Sequence, residues 1–316
     1  MTSNSPVLRP AWLRRRMYRA YPDDLRPSRL ATTMAHLGAA LEFSVPLTLG
    51  LVSHPGPLLI TGLCLMLLLH GYITSNVPMG VPIEWNILVV YAGFALFYAH
   101  PTATVLHAGP PWLVAAVLFA VVAVPLLGNL FPRRISFLPA MRYYAGNWAC
   151  SVWLFKRGSE QKLARLTKTS PWIYDQLAPF YDHATAVGVI GKVMAFRLMH
   201  LHGRALPQLL PRAVSHLADY HWLDGELVAG MVLGWNFGDG HLHDERLLQA
   251  IQDQCGFEDG ELRCVFLEAQ PLGQDTLEWR IADARTGLRE RGHVTVDDLL
   301  RRQPWEASCL MEGDVR

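Results

Sequence analysis

The sequence predicts an α-helical polytopic membrane domain of about four transmembrane helices, followed by a soluble α+β domain. Two observations predict it. Between Ala31 and Phe131 there is no Lys, Arg or Asp, and the carboxylates there are Glu42 and Glu84 alone. From Arg133 onward charge returns at the density of an ordinary globular protein. The mean hydropathy of +0.17 over 316 residues averages these two regimes. The boundaries that follow are a basic cytosolic or interfacial segment 1–30, a membrane domain 31–131, an interfacial docking segment 132–158 and a cytosolic α+β domain 159–316.

Residues 8–21 (LRPAWLRRRMYRAY) read as a short basic amphipathic helix. Trp12, Leu13, Met17 and Tyr21 would dip into the headgroups while Arg14, Arg15, Arg16 and Arg19 meet anionic lipid. A plain basic flank before the first span fits the same residues.

Apolar segments follow at 31–52, 57–74, 85–100 and 111–131, separated by Pro- and Gly-bearing connections. A bilayer core takes about 20 apolar residues, and backbone in hydrocarbon must bond within itself, so each segment is expected to be a spanning helix. Seven arginines precede Ala31, the connections have no Lys or Arg, and Arg133, Arg134 and Arg142 follow the fourth segment. The positive-inside rule then gives a multi-pass protein with both termini in the cytoplasm. Residues 143–155 (YYAGNWACSVWLF) are too short to cross and read as an interfacial docking helix.

In the charged half, 159–215 reads as helical. ELVAGMVLGWNF reads as a strand, DERLLQAIQDQCG as a helix, ELRCVFLEAQ and TLEWRIADA as strands, and VTVDDLLRRQPW as a last helix. Five cysteines without paired spacing suit reduced thiols. A net charge of +1, with no strongly basic face in the charged half, argues against nucleic acid as partner. The absence of a GxSxG elbow argues against an α/β-hydrolase, and GWNFGDG lacks the P-loop Lys.

Three groups of residues carry candidate chemistry. Glu42 lies mid-span, where a carboxylate must be protonated or paired, and such residues are commonly functional. With this topology His36, His70, Tyr72, Asn76, Glu84, Trp85, Asn86 and Asn129 fall in or near the cytosolic half of the membrane. Glu42, His70 and Glu84 are the expected acid–base groups, and His36, Tyr72, Asn76, Trp85 and Asn86 the expected substrate contacts. The third group is two HxH pairs, His200–His202 and His241–His243. In extended backbone one such pair turns two imidazoles to one side, and Asp239 could complete a set for a divalent metal. His200 and His202 end a predicted helix, where positions two apart diverge by about 200°.

HGYITSNVPMGVPIEWN (His70 to Asn86), LPAMRYYAGNWACSVWLF (Leu138 to Phe155), MHLHGRAL and LGWNFGDGHLH resemble a family of bacterial transmembrane proteins, domain of unknown function 3556. The resemblance runs from about Tyr21 to Trp305 and implies a polytopic protein of the bacterial inner membrane, with no activity attached. Its members are longer and carry further membrane segments, so this chain resembles their C-terminal half. The chain is then either a short form or one completed by a second membrane polypeptide, a partner beside the lipid bilayer.

The functional expectation is a membrane-embedded enzyme, or half of one, acting on a lipid-like substrate at the cytosolic face. The alternatives are a non-catalytic subunit of a membrane complex and a small transporter or lipid carrier using Glu42.

Overall fold

A computed structural model describes residues 11–21, 24–52, 54–76, 80–100, 109–137, 139–142, 147–167, 170–200, 202–234 and 243–301. Described residues up to Leu118 belong to one unit and those from Phe119 onward to a second.

In the first unit, α1 (Ala11–Arg16) is only six residues long. It gives way to an antiparallel pair, β1 (Tyr18–Ala20) and β2 (Asp24–Pro27). The amphipathic helix expected over 8–21 is thus cut short. Met17 is buried rather than turned outward, and the Arg16 guanidinium lies over the Trp12 ring at 5.6 Å. α2 (Arg29–Gly50) starts at Ser28, whose hydroxyl accepts the Ala31 N–H at 3.1 Å and satisfies one orphan donor of the first turn. α3 (Pro57–Asn76) follows, then α4 (Gly80–Gly93), which continues as a π-helical turn Phe94–Ala99, and α5 (Pro111–Leu130).

Val45 and Leu49 of α2 pack on Leu59, Leu63 and Met66 of α3. Gly62 permits the approach, since a Cβ there would lie 2.6 Å from Leu49 Cδ2. Phe43, Ile60, Leu68, Ile87 and Tyr91 are exposed. An apolar surface of this kind is unfavourable in water and costs nothing against lipid tails.

The expected four spans are corrected to two. Among the described residues, the helices long and apolar enough to cross a membrane are Pro57–Ser75 and Pro111–Leu130. α2 has the length, with 22 residues, but Arg29, His36, Glu42 and four hydroxyl side chains (Thr32, Thr33, Ser44, Thr48) make it too polar. The apolar helix Ile83–Ala99 is too short. Among the described residues a four-helix polytopic domain is therefore not supported.

The second unit takes in the C-terminal end of α5 and a mixed domain. In chain order it contains β3 (Cys150–Lys156), α6 (Ile173–Leu177), α7 (His183–Met199), α8 (Leu206–Ala213), β4 (Tyr220–Asp224) and α9 (Gly225–Leu233). Then come α10 (Glu245–Cys255), β5 (Leu262–Leu267), β6 (Thr276–Asp283), β7 (Gly287–Thr295) and α11 (Val296–Arg301). The five strands form one antiparallel sheet in the order β4-β3-β5-β6-β7. Successive side chains of a strand point to opposite faces. Trp153 and Phe155 pack with Val228 of α9 and Leu248 and Ile251 of α10. Val152 and Leu154 pack with Leu206 and Leu209 of α8 and with Leu299 of α11. The sheet is a middle layer between helices.

Two elements differ from the sequence expectation for a physical reason. The stretch 143–155 was expected to be an interfacial helix, yet its end is β3, the strand between β4 and β5 and buried on both faces. A strand buried on both faces has no polar alternation and reads like a short apolar helix. The expected strand after Asp224 is α9. Its start is set by Asp224, whose carboxylate accepts the Glu226 N–H, and its end by Gly234 at φ 69°. β4 and β7, both at sheet edges and rich in polar residues, were not anticipated.

The end of α5 is held by Arg142, which is 3% exposed. Its guanidinium donates to the carbonyls of Gly128 at 2.9 Å, Pro132 at 3.1 Å and Ile135 at 3.2 Å. A cation at a helix C-terminus satisfies orphan carbonyls and complements the helix dipole. The Asn129 amide adds a hydrogen bond to the Ala140 carbonyl at 2.9 Å.

Candidate functional site

In the first unit, His70 and Thr74 stand one turn apart on α3 and face Asn86 of α4. Asn86 Nδ2 donates to Thr74 Oγ1 at 2.9 Å, which turns the amide oxygen toward His70 Nδ1 at 2.8 Å. An amide oxygen only accepts, so His70 Nδ1 carries the proton and Nε2 is left as the basic nitrogen. This chain of three is what the structure makes of the expected membrane cluster. Glu42, Glu84 and His36 are exposed, and among the described residues no hydrogen bond or ion pair ties them to it. Tyr72 is exposed and Trp85 half-buried. Asn76 is the last residue of α3, and its side chain lies outside what is described.

The second unit holds a denser polar centre. Arg197, on α7, is 4% exposed. It reaches Asp224 through Nε at 2.6 Å and Nη2 at 3.2 Å, and Nη2 also meets Glu226 at 2.8 Å. Trp148 lies against the same guanidinium at 5.1 Å, and His200 sits edge-on to Trp148 at 4.7 Å. On β3, Ser151 Oγ stands 2.6 Å from His243 Nδ1 and 3.2 Å from the His243 carbonyl, and accepts from Trp153 Nε1 at 2.8 Å. Both Ser151 and His243 are buried. Gly225, between the two carboxylates in sequence, has to be a glycine: a Cβ there would overlap Ser151 Oγ and His243 Nδ1.

The Ser151 hydroxyl accommodates either charge state of His243. With a neutral ring it donates to Nδ1. With an imidazolium it accepts from Nδ1–H and donates to the His243 carbonyl instead. Neither state leaves Ser151 unbonded, because a hydroxyl offers one donor and two lone pairs.

The two carboxylates beside Arg197 are pushed apart. Burial acts to raise the Asp224 carboxyl, but Arg197 and then the charge on His243 outweigh it and hold it below its ordinary value. Burial raises Glu226, Asp224 adds to the rise, and Arg197 does not cancel it. Burial likewise pushes the Cys150 thiol up to about 12, against the pull of Arg197, so this cysteine is a structural thiol rather than a nucleophile.

The pH dependence follows with opposite signs. Asp224 contributes stability above its ordinary 3.8 that is lost as pH falls through its lowered folded value. Glu226 contributes below its ordinary 4.5, and that contribution is lost as pH rises through its raised folded value. Thermal unfolding of the full chain in detergent is expected to show the wild type losing ground to Glu226→Gln as pH rises above 4.5. Parallel profiles for the two would contradict the assignment.

Of the expected metal residues, Asp239 and His241 lie outside the described residues, and His243 is the buried partner of Ser151. Asp244 instead caps α10 and pairs with Arg246. Among the described residues no three His, Cys, Asp or Glu side chains gather as a metal site. Arg197, Asp224, Glu226 and Ser151 were not singled out from sequence. The available signals were a lone Arg in the apolar run VMAFRLM and two acids two residues apart in LDGEL.

The family model described as transmembrane protein of unknown function (DUF3556) matches residues 1–312. The chain belongs to this family. As a DUF3556 member it is a transmembrane protein, in keeping with the two apolar helices of spanning length. No curated protein and no solved structure matches it.

Proposed function

We propose that this protein is a membrane-anchored enzyme acting on a lipid-like substrate through the acid–base centre of its sheet domain. One observation carries the reading: a single guanidinium, 4% exposed, meets two carboxylates, Asp224 at 2.6 Å and Glu226 at 2.8 Å, of which Asp224 is fully enclosed and Glu226 reaches solvent. Two carboxylates in such unequal surroundings are how acid and base roles are divided in active sites. Glu226, with 29% of its side chain exposed, is the proton donor. Asp224 is the permanent anion that fixes Arg197. His243, seated on Ser151, is the second group to take and return a proton. The bacterial cytoplasmic membrane is the proposed location. Two spans keep both termini on one side, and the arginines before Ala31 and after Phe131 favour the cytoplasm.

The test is the lipid extract of a deletion strain complemented with wild type or Glu226→Gln at equal expression. The variant is expected to leave the extract like that of the uncomplemented strain. Full restoration by Glu226→Gln would end this reading.

A second reading rests on the Thr74–Asn86–His70 chain, which presents His70 Nε2 as a base inside an apolar helix of spanning length. Under it, His70→Ala abolishes the lipid change while Glu226→Gln does not.

A further inference from the structure

A cavity of about 320 Å³ opens where α5 ends. Its wall includes the apolar Leu130 and Phe131, the cations Arg133 and Arg134, and the carboxylates Glu268 and Glu278. Its depth in a membrane follows from length. The 20 residues of α5 rise about 30 Å, the thickness of the hydrocarbon core, so residues directly after Leu130 lie at the level of the headgroups. The cavity is built into the fold at that level. The Leu272 N–H bonds the Asn129 carbonyl at 2.7 Å, and the Glu268 N–H bonds the Glu278 carbonyl at 2.9 Å.

The charges inside are of both signs and are unevenly committed. Glu268 is nearly buried and held by Arg280 at 2.7 Å, with Arg133 at 3.6 Å. Glu278 pairs with Arg133, and both side chains are more than half exposed, at 58% and 56%. An ion pair that open contributes about 0–1 kcal/mol, so a ligand separates it at little cost. Arg134 is exposed and makes no ion pair among the described residues.

We propose that this cavity binds the headgroup of an amine-bearing zwitterionic phospholipid, with phosphate on Arg133 and Arg134 and ammonium on Glu278. The acyl chains then run along the exposed apolar side of α5, where Val122 and Leu126 face outward. A headgroup with phosphate alone sets its charge against Glu268 and Glu278 without relief. A choline headgroup brings a cation with no N–H to give to a carboxylate. The site is independent of the acid–base centre and stands or falls separately.

The experiment uses the full chain in mild detergent, with lipid retention read by native mass spectrometry in competition among phosphatidylethanolamine, phosphatidylcholine and phosphatidylglycerol. Phosphatidylethanolamine is expected to be retained about tenfold over the other two, the size of one charge-assisted hydrogen bond. Glu278→Gln is expected to reduce it to the level of phosphatidylcholine, and Arg134→Gln to weaken both zwitterionic lipids together. Because both positions are solvent-exposed, near-UV circular dichroism of the two variants should match the wild type. Equal retention of the three lipids, a preference for phosphatidylglycerol, or an ethanolamine preference that survives both substitutions would each overturn the proposal.

Discussion

Arg197→Met is expected to destabilise the sheet domain by about 3–5 kcal/mol, the usual penalty for stripping one partner from a buried ion pair. Asp224 is 1% exposed and would lose the guanidinium that offsets the cost of burying its carboxylate. Glu226 would lose its 2.8 Å contact to the same group. Methionine preserves much of the Arg197 volume, so the loss reports charge rather than packing. The double variant Arg197→Met/Asp224→Asn is expected to be more stable than Arg197→Met alone, because the orphan charge is gone while asparagine still caps α9. Denaturant unfolding followed by tryptophan fluorescence measures both. A single-variant loss below about 1 kcal/mol would mean that the pair is relieved by water and is not the rigid centre described above.

Arg142→Met is expected to act on a different joint. The wild-type guanidinium answers three carbonyls, those of Gly128, Pro132 and Ile135, in a setting nearly closed to solvent. A buried acceptor left unsatisfied costs about 1–3 kcal/mol, so losing all three is expected to free the segment from 131 to 142. Limited proteolysis of detergent-solubilised protein should then cut after Arg133 or Arg134 at least tenfold faster than in wild type, the factor that corresponds to about 1.4 kcal/mol. Unchanged protection would show that the Asn129–Ala140 bond and the surrounding packing suffice without Arg142.

How far the sequence announced this structure depends on how local each cause is. α3 and α5 were plain, because twenty apolar residues bounded by proline have few fates other than a spanning helix. α2 was misjudged for a reason visible in its composition: Lys and Asp are absent from it, yet His36, Glu42 and the hydroxyls of Thr32, Thr33, Ser44 and Thr48 together dilute its hydropathy. β5 and β6 followed from alternation, and α10 from the helical periodicity of its apolar residues. β3 did not, since the strand between two others loses the alternation that marks a strand.

The polar centres divide in the same way. His70 and Asn86 are 16 positions apart on consecutive helices, and their pairing was within reach of local reasoning. Ser151 and His243 are 92 positions apart, and nothing local to either names the other. Arg197, Asp224 and Glu226 carried a fainter mark: a cation in the apolar helix α7, and two anions two residues apart at the start of the apolar helix α9.

The position of β7 at the edge of the sheet has a consequence for life on a surface. Proteins tethered to a bilayer meet one another in two dimensions, at far higher encounter rates than the same copies dispersed in a cell volume. An open strand edge is then a standing invitation to pair with the next copy. β7 answers with Arg289, Glu290 and Arg291 in succession, exposed or half-buried, and with ion pairs from Arg289 to Asp259 and from Arg212 to Glu290. A neighbour's edge could dock there only by stripping water from that row of charges. Edge-to-edge pairing through β7 is disfavoured by that row of charges.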